Sequence, residues 1–207
     1  EFGSLVKSYE LRLSELAAGP GVVVAVMGPT SPNLAAMCAA VWGRESTLTV
    51  LSTPTRLANL EQYLHETLEK VSKSEAQVLI GEEDVVSVFR ELAGIPVLSY
   101  QELLDRKVDV GLKATDLECA LIQFSSGTTR APTPILLHQS ALVHNSQAVL
   151  EKFPGGAARH SCVSWLPLYH DMGLIGCFLM PLLAPGDLTL MGPEVFAVRP
   201  LTWLEAI

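Results

Sequence analysis

The sequence predicts an α/β fold in three layers, a mainly parallel sheet with helices on both faces. Three observations carry this. Short apolar runs alternate with amphipathic segments of about ten or more residues, the pattern of strand–helix–strand crossovers. The run Val22-Val23-Val24-Ala25-Val26-Met27 is apolar at every position, as in a strand covered on both sides. Hydrophobic residues make up 49% of the 207 and charged residues only 17%, enough to build a sizeable core and too few charges for a disordered chain.

Taken in order, Gly21–Met27 is the first strand. Gly28-Pro29-Thr30-Ser31-Pro32 breaks it, with Ser31 a helix cap and Pro32 at the first helical position. A helix follows over Asn33–Trp42, then a short strand over Leu48–Leu51. Thr55–Ser72 is helical, with Leu57, Leu60, Leu64 and Leu68 along one face. Ala76–Ile80 is a strand, Glu82–Leu92 a helix and Val97–Ser99 a short strand. Tyr100–Leu117 is rich in charge, lacks an apolar period and reads as a connector. The chain re-enters a sheet at Glu118–Phe124. Gln139–Lys152 is a helix ended by Pro154-Gly155-Gly156, and Cys162–Leu166 is a strand. Met172–Leu183 is a helix so apolar that burial is expected all round. Asp187–Met191 is a strand, and a last helix opens at Pro200. Residues 1–4, Glu1-Phe2-Gly3-Ser4, resemble a cloning scar. The remainder divides into a first α/β part over 5–99, the connector over 100–117, and a part over 118–207.

The net charge of −8 argues against nucleic acid or an anionic membrane as the main partner. The longest apolar stretch, Leu174–Ala184, is too short to span a bilayer. The four cysteines, Cys38, Cys119, Cys162 and Cys177, form no Cys-x-x-Cys, so buried free thiols in a reducing, cytoplasmic setting are expected. A mean hydropathy of +0.33 is high for a soluble domain and suggests a fragment whose apolar surface meets a further part of the chain. The helical segment at Ile207 has no stop signal, and continuation beyond it is expected.

Two motifs carry chemistry. In the first, an apolar run ending at Phe124 meets Ser125-Ser126-Gly127-Thr128-Thr129-Arg130. Small residues let backbone N–H groups approach phosphate oxygens, hydroxyls add donors, and an arginine adds a bidentate cation. A Ser/Thr-rich turn is the plain alternative. In the second, Ser164-Trp165-Leu166-Pro167-Leu168-Tyr169-His170-Asp171-Met172-Gly173-Leu174 runs from a strand end into a helix, the place where ligands collect in open α/β sheets. Tyr169, His170 and Asp171 offer an aromatic face, a titratable ring and a carboxylate; Asp171 serves equally well as a helix cap. Gly173 permits close approach to the following helix.

Together these motifs resemble the adenylate-forming superfamily: acyl-CoA ligases, peptide-synthetase adenylation domains and luciferases. The second motif, with Phe196, Arg199, Pro200 and Trp203-Leu204, is most similar to fatty-acyl-AMP ligases and the starter-unit loading domains of polyketide synthases. The resemblance places this chain in the large N-terminal domain of such an enzyme. It implies that Ser125, Ser126, Gly127, Thr128, Thr129 and Arg130 bind the phosphates of ATP. His170 then lies beside the acyl carboxylate and the thiol tunnel, and Tyr169, Met172, Gly173 and Leu174 border the acyl pocket. It also implies Mg2+, with its main ligand beyond Ile207, and three partners: a carboxylic acid, an acyl carrier protein or CoA, and the rest of the adenylation domain. On this view the 207 residues are inactive by themselves. The chain departs from the common pattern at Arg130, where glycine is usual, and at Pro132-Thr133-Pro134, where Pro-Lys-Gly is usual. A non-catalytic binding or scaffolding module with a degenerate loop is the rival reading. A P-loop NTPase is disfavoured, because no Gly-x-x-x-x-Gly-Lys-Ser/Thr occurs.

Overall fold

The computed structural model describes residues 1–54, 59–105, 111–125, 132–153, 160–184 and 186–207. The chain forms two units, residues 1–28 with 32–137 and residues 29–31 with 138–207.

In the first unit α1 (Phe2–Glu15) leads into β1 (Val23–Met27), α2 (Pro32–Gly43) and β2 (Thr47–Leu51). There follow α3 (Leu60–Lys73), β3 (Val78–Gly81), α4 (Glu83–Val86) and a 3-10 turn over Ser87–Phe89. β4 (Val97–Ser99), α5 (Tyr100–Asp105), β5 (Leu121–Phe124) and β6 (Pro134–Leu137) complete it. Among the described residues the sheet has six strands in the order β4-β3-β1-β2-β5-β6, parallel except for β6, which runs antiparallel to β5. The mainly parallel α/β expectation holds.

Alternation explains the core. Val23, Ala25 and Met27 point to one face of β1, against Val71 of α3, Val86 of α4 and Phe89. Val24 and Val26 point to the other and are equally buried, on the face where α2 packs and α1 packs on α2. An all-apolar strand results because both faces are dry.

The differences from the sequence reading have local causes. α1 follows a Tyr9–Leu13–Leu16 stripe, each residue essentially inaccessible, and it begins at Phe2. Asn59 starts α3 by accepting from the amides of Glu61 at 3.0 Å and Gln62 at 3.4 Å, so Leu60 falls in the first turn and is 59% exposed. Residues 55–58 lie outside the described set. Glu82–Leu92 is not one helix but a single turn followed by a 3-10 turn. Tyr100–Asp105, read as connector, is helical, with Tyr100 and Leu103 buried. Beyond it, Leu112 donates to the Leu16 carbonyl at 3.0 Å and Thr115 to the Gly21 carbonyl at 2.9 Å, stitching this segment onto the start of β1.

The second unit contains α6 (Gln139–Leu150), β7 (His160–Ser164), a π-helix over Met172–Leu179, α7 (Met180–Leu183) and β8 (Gly186–Leu190). α8 (Pro193–Val198) and α9 (Leu201–Glu205) follow. β7 and β8 are parallel, joined through the π-helix and α7 as a β–helix–β unit. The Pro154-Gly155-Gly156 stop lies outside the described residues. The expectation that Met172–Leu183 is buried all round is corrected. Gly173, Leu174 and Phe178 are buried, but Met172 is 58% exposed and Leu182 and Leu183 each 46%. The two-stranded sheet and α6 pack against this stretch and leave those residues outside the contact. No described helix is long and apolar enough to cross a membrane. The four cysteines are free thiols, but only Cys38 is buried.

Candidate functional site

β5 delivers the first motif. Its ladder with β6 runs from Leu121↔Leu137 to Phe124↔Pro134, and the Ser125 amide donates to the Thr133 carbonyl at 3.1 Å one step further. The Ser125 amide is thereby occupied, leaving its hydroxyl as the group able to meet a ligand. Pro134, unexpected where glycine is usual, opens an edge strand, a position where proline costs no ladder donor. Lys73 at the end of α3 donates to the Pro132 carbonyl at 2.9 Å and pairs with Glu69 at 2.9 Å. That anchor was not legible in the sequence, since Lys73 and Pro132 are far apart along the chain. Ser126, Gly127, Thr128, Thr129 and Arg130 lie outside the described residues.

The second motif belongs to the second unit. β7 ends at Ser164, whose Oγ accepts from the Leu166 amide at 3.1 Å. The chain turns at Pro167, whose carbonyl accepts from the His170 amide at 3.1 Å, and the His170 carbonyl accepts from Leu174 at 2.9 Å as the helix begins. Leu168 is fully buried and anchors this turn, while Tyr169 is 37% exposed and the side chains of His170 and Asp171 are 57% and 63% exposed. Asp171 Oδ1 accepts from the Met172 amide at 2.7 Å, so its capping role is realised. The same oxygen stands 2.6 Å from His170 Nδ1, which is also 3.3 Å from the Met172 amide. With its proton on Nδ1 the ring donates to Asp171; with the proton on Nε2 it accepts from Met172. Burial first, then the Glu194 carboxylate, push the Tyr169 phenol above its ordinary value.

Gly173 has a definite steric reason. A Cβ there would lie 2.1 Å from the Pro167 carbonyl oxygen and 3.0 Å from that of Leu166. What approaches Gly173 is the chain's own preceding turn. Gly173→Ala is expected to lower stability by about 1–3 kcal/mol through overpacking, outweighing the gain of about 1 kcal/mol that alanine brings to a helix interior. Urea unfolding of the two proteins checks this; an unchanged or raised midpoint would show that the turn yields.

Aromatic packing braces the motif from the C-terminal side. Trp165 and Phe196 stack with ring centroids 4.2 Å apart, and Phe196 meets Trp203 edge-on at 6.3 Å. Trp203 Nε1 donates to the Val163 carbonyl at 2.9 Å. α8 and α9 are thus tied to β7 through groups that the sequence reading named without seeing their contacts.

Tyr169, His170, Asp171, Met172, Gly173 and Leu174 therefore occupy a single strand-to-helix turn. Ser125 belongs to the other unit. A further polar network, absent from the sequence reading, sits where the strand order of the large sheet reverses between β1 and β3. Tyr9 donates to Asn33 Oδ1 at 2.9 Å and Asn33 Nδ2 approaches Glu82 Oε1 at 3.4 Å. Burial, reinforced by Glu82, raises the Tyr9 phenol. No group of three or more His, Cys, Asp or Glu side chains among the described residues has the arrangement to hold a metal.

The architecture is that of the adenylate-forming enzymes. It superposes on the fatty acid AMP ligase of Legionella pneumophila with a TM-score of 0.81, at 23% identity, over 100% of this chain and 36% of that one. The family model of AMP-binding enzymes matches residues 4–207, and this chain belongs to that family. It is 34% identical to a putative acyl-CoA synthetase of Caulobacter vibrioides over 161 residues, 76% of this chain and 28% of the relative. It is 37% identical to the long-chain-fatty-acid–AMP ligase FadD26 of Mycobacterium tuberculosis over 118 residues, 54% of this chain and 20% of the relative. The chain thus spans about a third or less of these relatives.

Proposed function

We propose that this chain is the N-terminal part of a longer cytoplasmic ligase that activates a fatty or similar apolar carboxylic acid with ATP, as acyl-AMP, for transfer to a carrier-protein or CoA thiol. The observation that carries the reading is the strand-to-helix turn of a family member. It presents Tyr169 and His170 to solvent at the head of a largely apolar helix whose first residue, Met172, is exposed. Attack of a carboxylate on the α-phosphate makes a mixed anhydride with AMP as leaving group, chemistry dominated by positioning and charge neutralisation. In this reading Ser125, Ser126, Thr128 and Thr129 supply hydroxyls to the phosphates, Gly127 allows close approach, and Arg130 adds positive charge. Tyr169 and His170 orient the acid and Met172 starts the acyl wall, with Gly173, closed against the Pro167 turn, and the buried Leu174 behind it. Mg2+ would neutralise the phosphates, with its principal ligand supplied beyond Ile207.

ATP–pyrophosphate exchange by the full-length protein against carboxylic acids of increasing chain length tests the proposal. Exchange that rises with apolar chain length supports it, with the 207 residues alone inactive as the control. No exchange with any acid favours the binding or scaffolding module.

His170→Ala in the full-length protein is expected to slow acyl-adenylate formation or thiol transfer by about 10–100-fold through misplacement of the acid. The ring is mostly exposed, so its loss should change stability by no more than about 0.5 kcal/mol. Thermal melting with single-turnover kinetics separates the two effects. A large drop in melting temperature with normal turnover would make His170 structural.

A further inference from the structure

The start of β6 is a weakly held piece of backbone with a tie from a third element. Among the described residues β6 is the last strand of the large sheet, paired on one side only, with β5. It is thinly covered, with Ile135 and Leu136 each 46% exposed. Pro132 and Pro134 have no N–H to give to a ladder. This stretch is therefore held mainly through its carbonyls. The Thr133 carbonyl accepts from the Ser125 amide at 3.1 Å, and the Pro132 carbonyl accepts from Lys73 Nζ at 2.9 Å.

Lys73 reaches out from a fixed root. It closes α3 between Val71 and Ser74, which are 3% and 1% exposed. The Ser74 amide donates to the Lys70 carbonyl at 2.9 Å and its hydroxyl to the Val71 carbonyl at 3.0 Å, which ends the helix. The Gln77 amide then donates to the Val23 carbonyl at 3.0 Å, joining the chain to β1. The ammonium has three N–H donors. One meets Pro132, and Glu69, one helical turn earlier, stands 2.9 Å from the same nitrogen. That pair limits the directions in which the long side chain can point.

We propose that Lys73 is a positioning residue for the phosphate-binding segment that begins at Ser125, holding its exit at Pro132 against α3. The inference rests on the proposed ATP site, and Lys73 acts there through the Pro132 carbonyl rather than by contact with the nucleotide. With the tie in place the exit is ordered before ATP arrives. Without it the Ser125–Thr133 bond alone closes the segment, and ATP must order the exit as it binds, at a cost in affinity. The acid is not affected, because Tyr169 and His170 belong to the other unit.

The test is initial-rate ATP–pyrophosphate exchange by the full-length protein and its Lys73→Met, Lys73→Arg and Glu69→Gln variants. Lys73→Met keeps an apolar stem and removes the donors. It is expected to raise KM for ATP by about five-fold or more while kcat and KM for the acid stay within about two-fold. Lys73→Arg, which can still donate to a carbonyl, should restore KM for ATP. Glu69→Gln should raise it less than Lys73→Met does. The melting temperature should move by no more than about 2 °C, since an exposed helical ion pair contributes little to stability. An unchanged KM for ATP in Lys73→Met would overturn the proposal. So would a joint rise in both KM values with a large fall in melting temperature, the mark of a structural residue, or a failure of Lys73→Arg to restore binding. Each of these failures occurs in a protein that still exchanges, whereas no exchange by the unaltered protein fails the ligase reading itself. In that event hydrogen exchange of the peptide containing Ser125 decides the tie: faster exchange in Lys73→Met sustains it, and equal exchange overturns it.

Discussion

Replacing Thr128 and Thr129 together by valine in the full-length protein is expected to slow acid-dependent ATP–pyrophosphate exchange by about 10²–10⁴-fold. Valine keeps nearly the shape of threonine and removes only the hydroxyl. A hydrogen bond to a charged acceptor contributes about 1.5–3 kcal/mol, so two of them supply about 3–6 kcal/mol of transition-state stabilisation. The argument comes from the sequence: hydroxyl and glycine residues follow directly where a strand ends, with Arg130 beside them. The structure supplies the frame. β5 runs parallel to β2 and antiparallel to β6, and the Ser125–Thr133 hydrogen bond holds both ends of the segment together. Ser125 spends its amide on that bond, so under the proposed phosphate reading its hydroxyl is the donor it has left for a ligand. Each single valine variant should lose less than the pair. An unchanged exchange rate in the double variant would make the loop a structural turn and favour the non-catalytic module.

The second large effect is on folding. Gly21→Ala is expected to destabilise the chain by about 2–5 kcal/mol in urea unfolding. Gly21 has φ +75°, where an L side chain costs about 1–2 kcal/mol. A Cβ there would also lie 2.1 Å from the Thr115 carbonyl oxygen and 2.9 Å from the Thr115 nitrogen, overpacking that costs about 1–3 kcal/mol. The neighbour cannot step aside, because the Thr115 amide and hydroxyl both donate to the Gly21 carbonyl at 2.9 Å. Gly94 is the internal control. It has φ +66° with nothing within 4 Å of an added Cβ, so Gly94→Ala should show the conformational cost alone. Equal effects at the two positions would mean that the Thr115 contact relaxes.

This pair of glycines also shows where reading a sequence stops. The sequence reads Gly21 as the first residue of a strand, whereas β1 begins at Val23, and nothing near Gly21 along the chain announces Thr115. The helical stretch from Met172 makes the same point. Its apolar composition is plain, and its start at Met172 was placed correctly. Which residues end up exposed depends on what packs against it, here β7 and β8 together with α6. Asp171 had two readings of equal standing, and the 2.7 Å bond from the Met172 amide realises one of them. Lys73 gave no local signal, because its partner Pro132 belongs to another element.

The all-apolar β1, the strand at Val97–Ser99, the parallel α/β layout and the two motifs at strand ends were all readable from residues near one another in sequence. Such features follow from periodicity, which side-chain alternation and helical pitch impose locally. The antiparallel β6, the Tyr9–Asn33–Glu82 network and the Trp165–Phe196–Trp203 stack required the folded chain. Each depends on which distant residues face one another once the core has excluded water. That choice is made by shape and burial summed over a whole unit, and no stretch of sequence carries it alone.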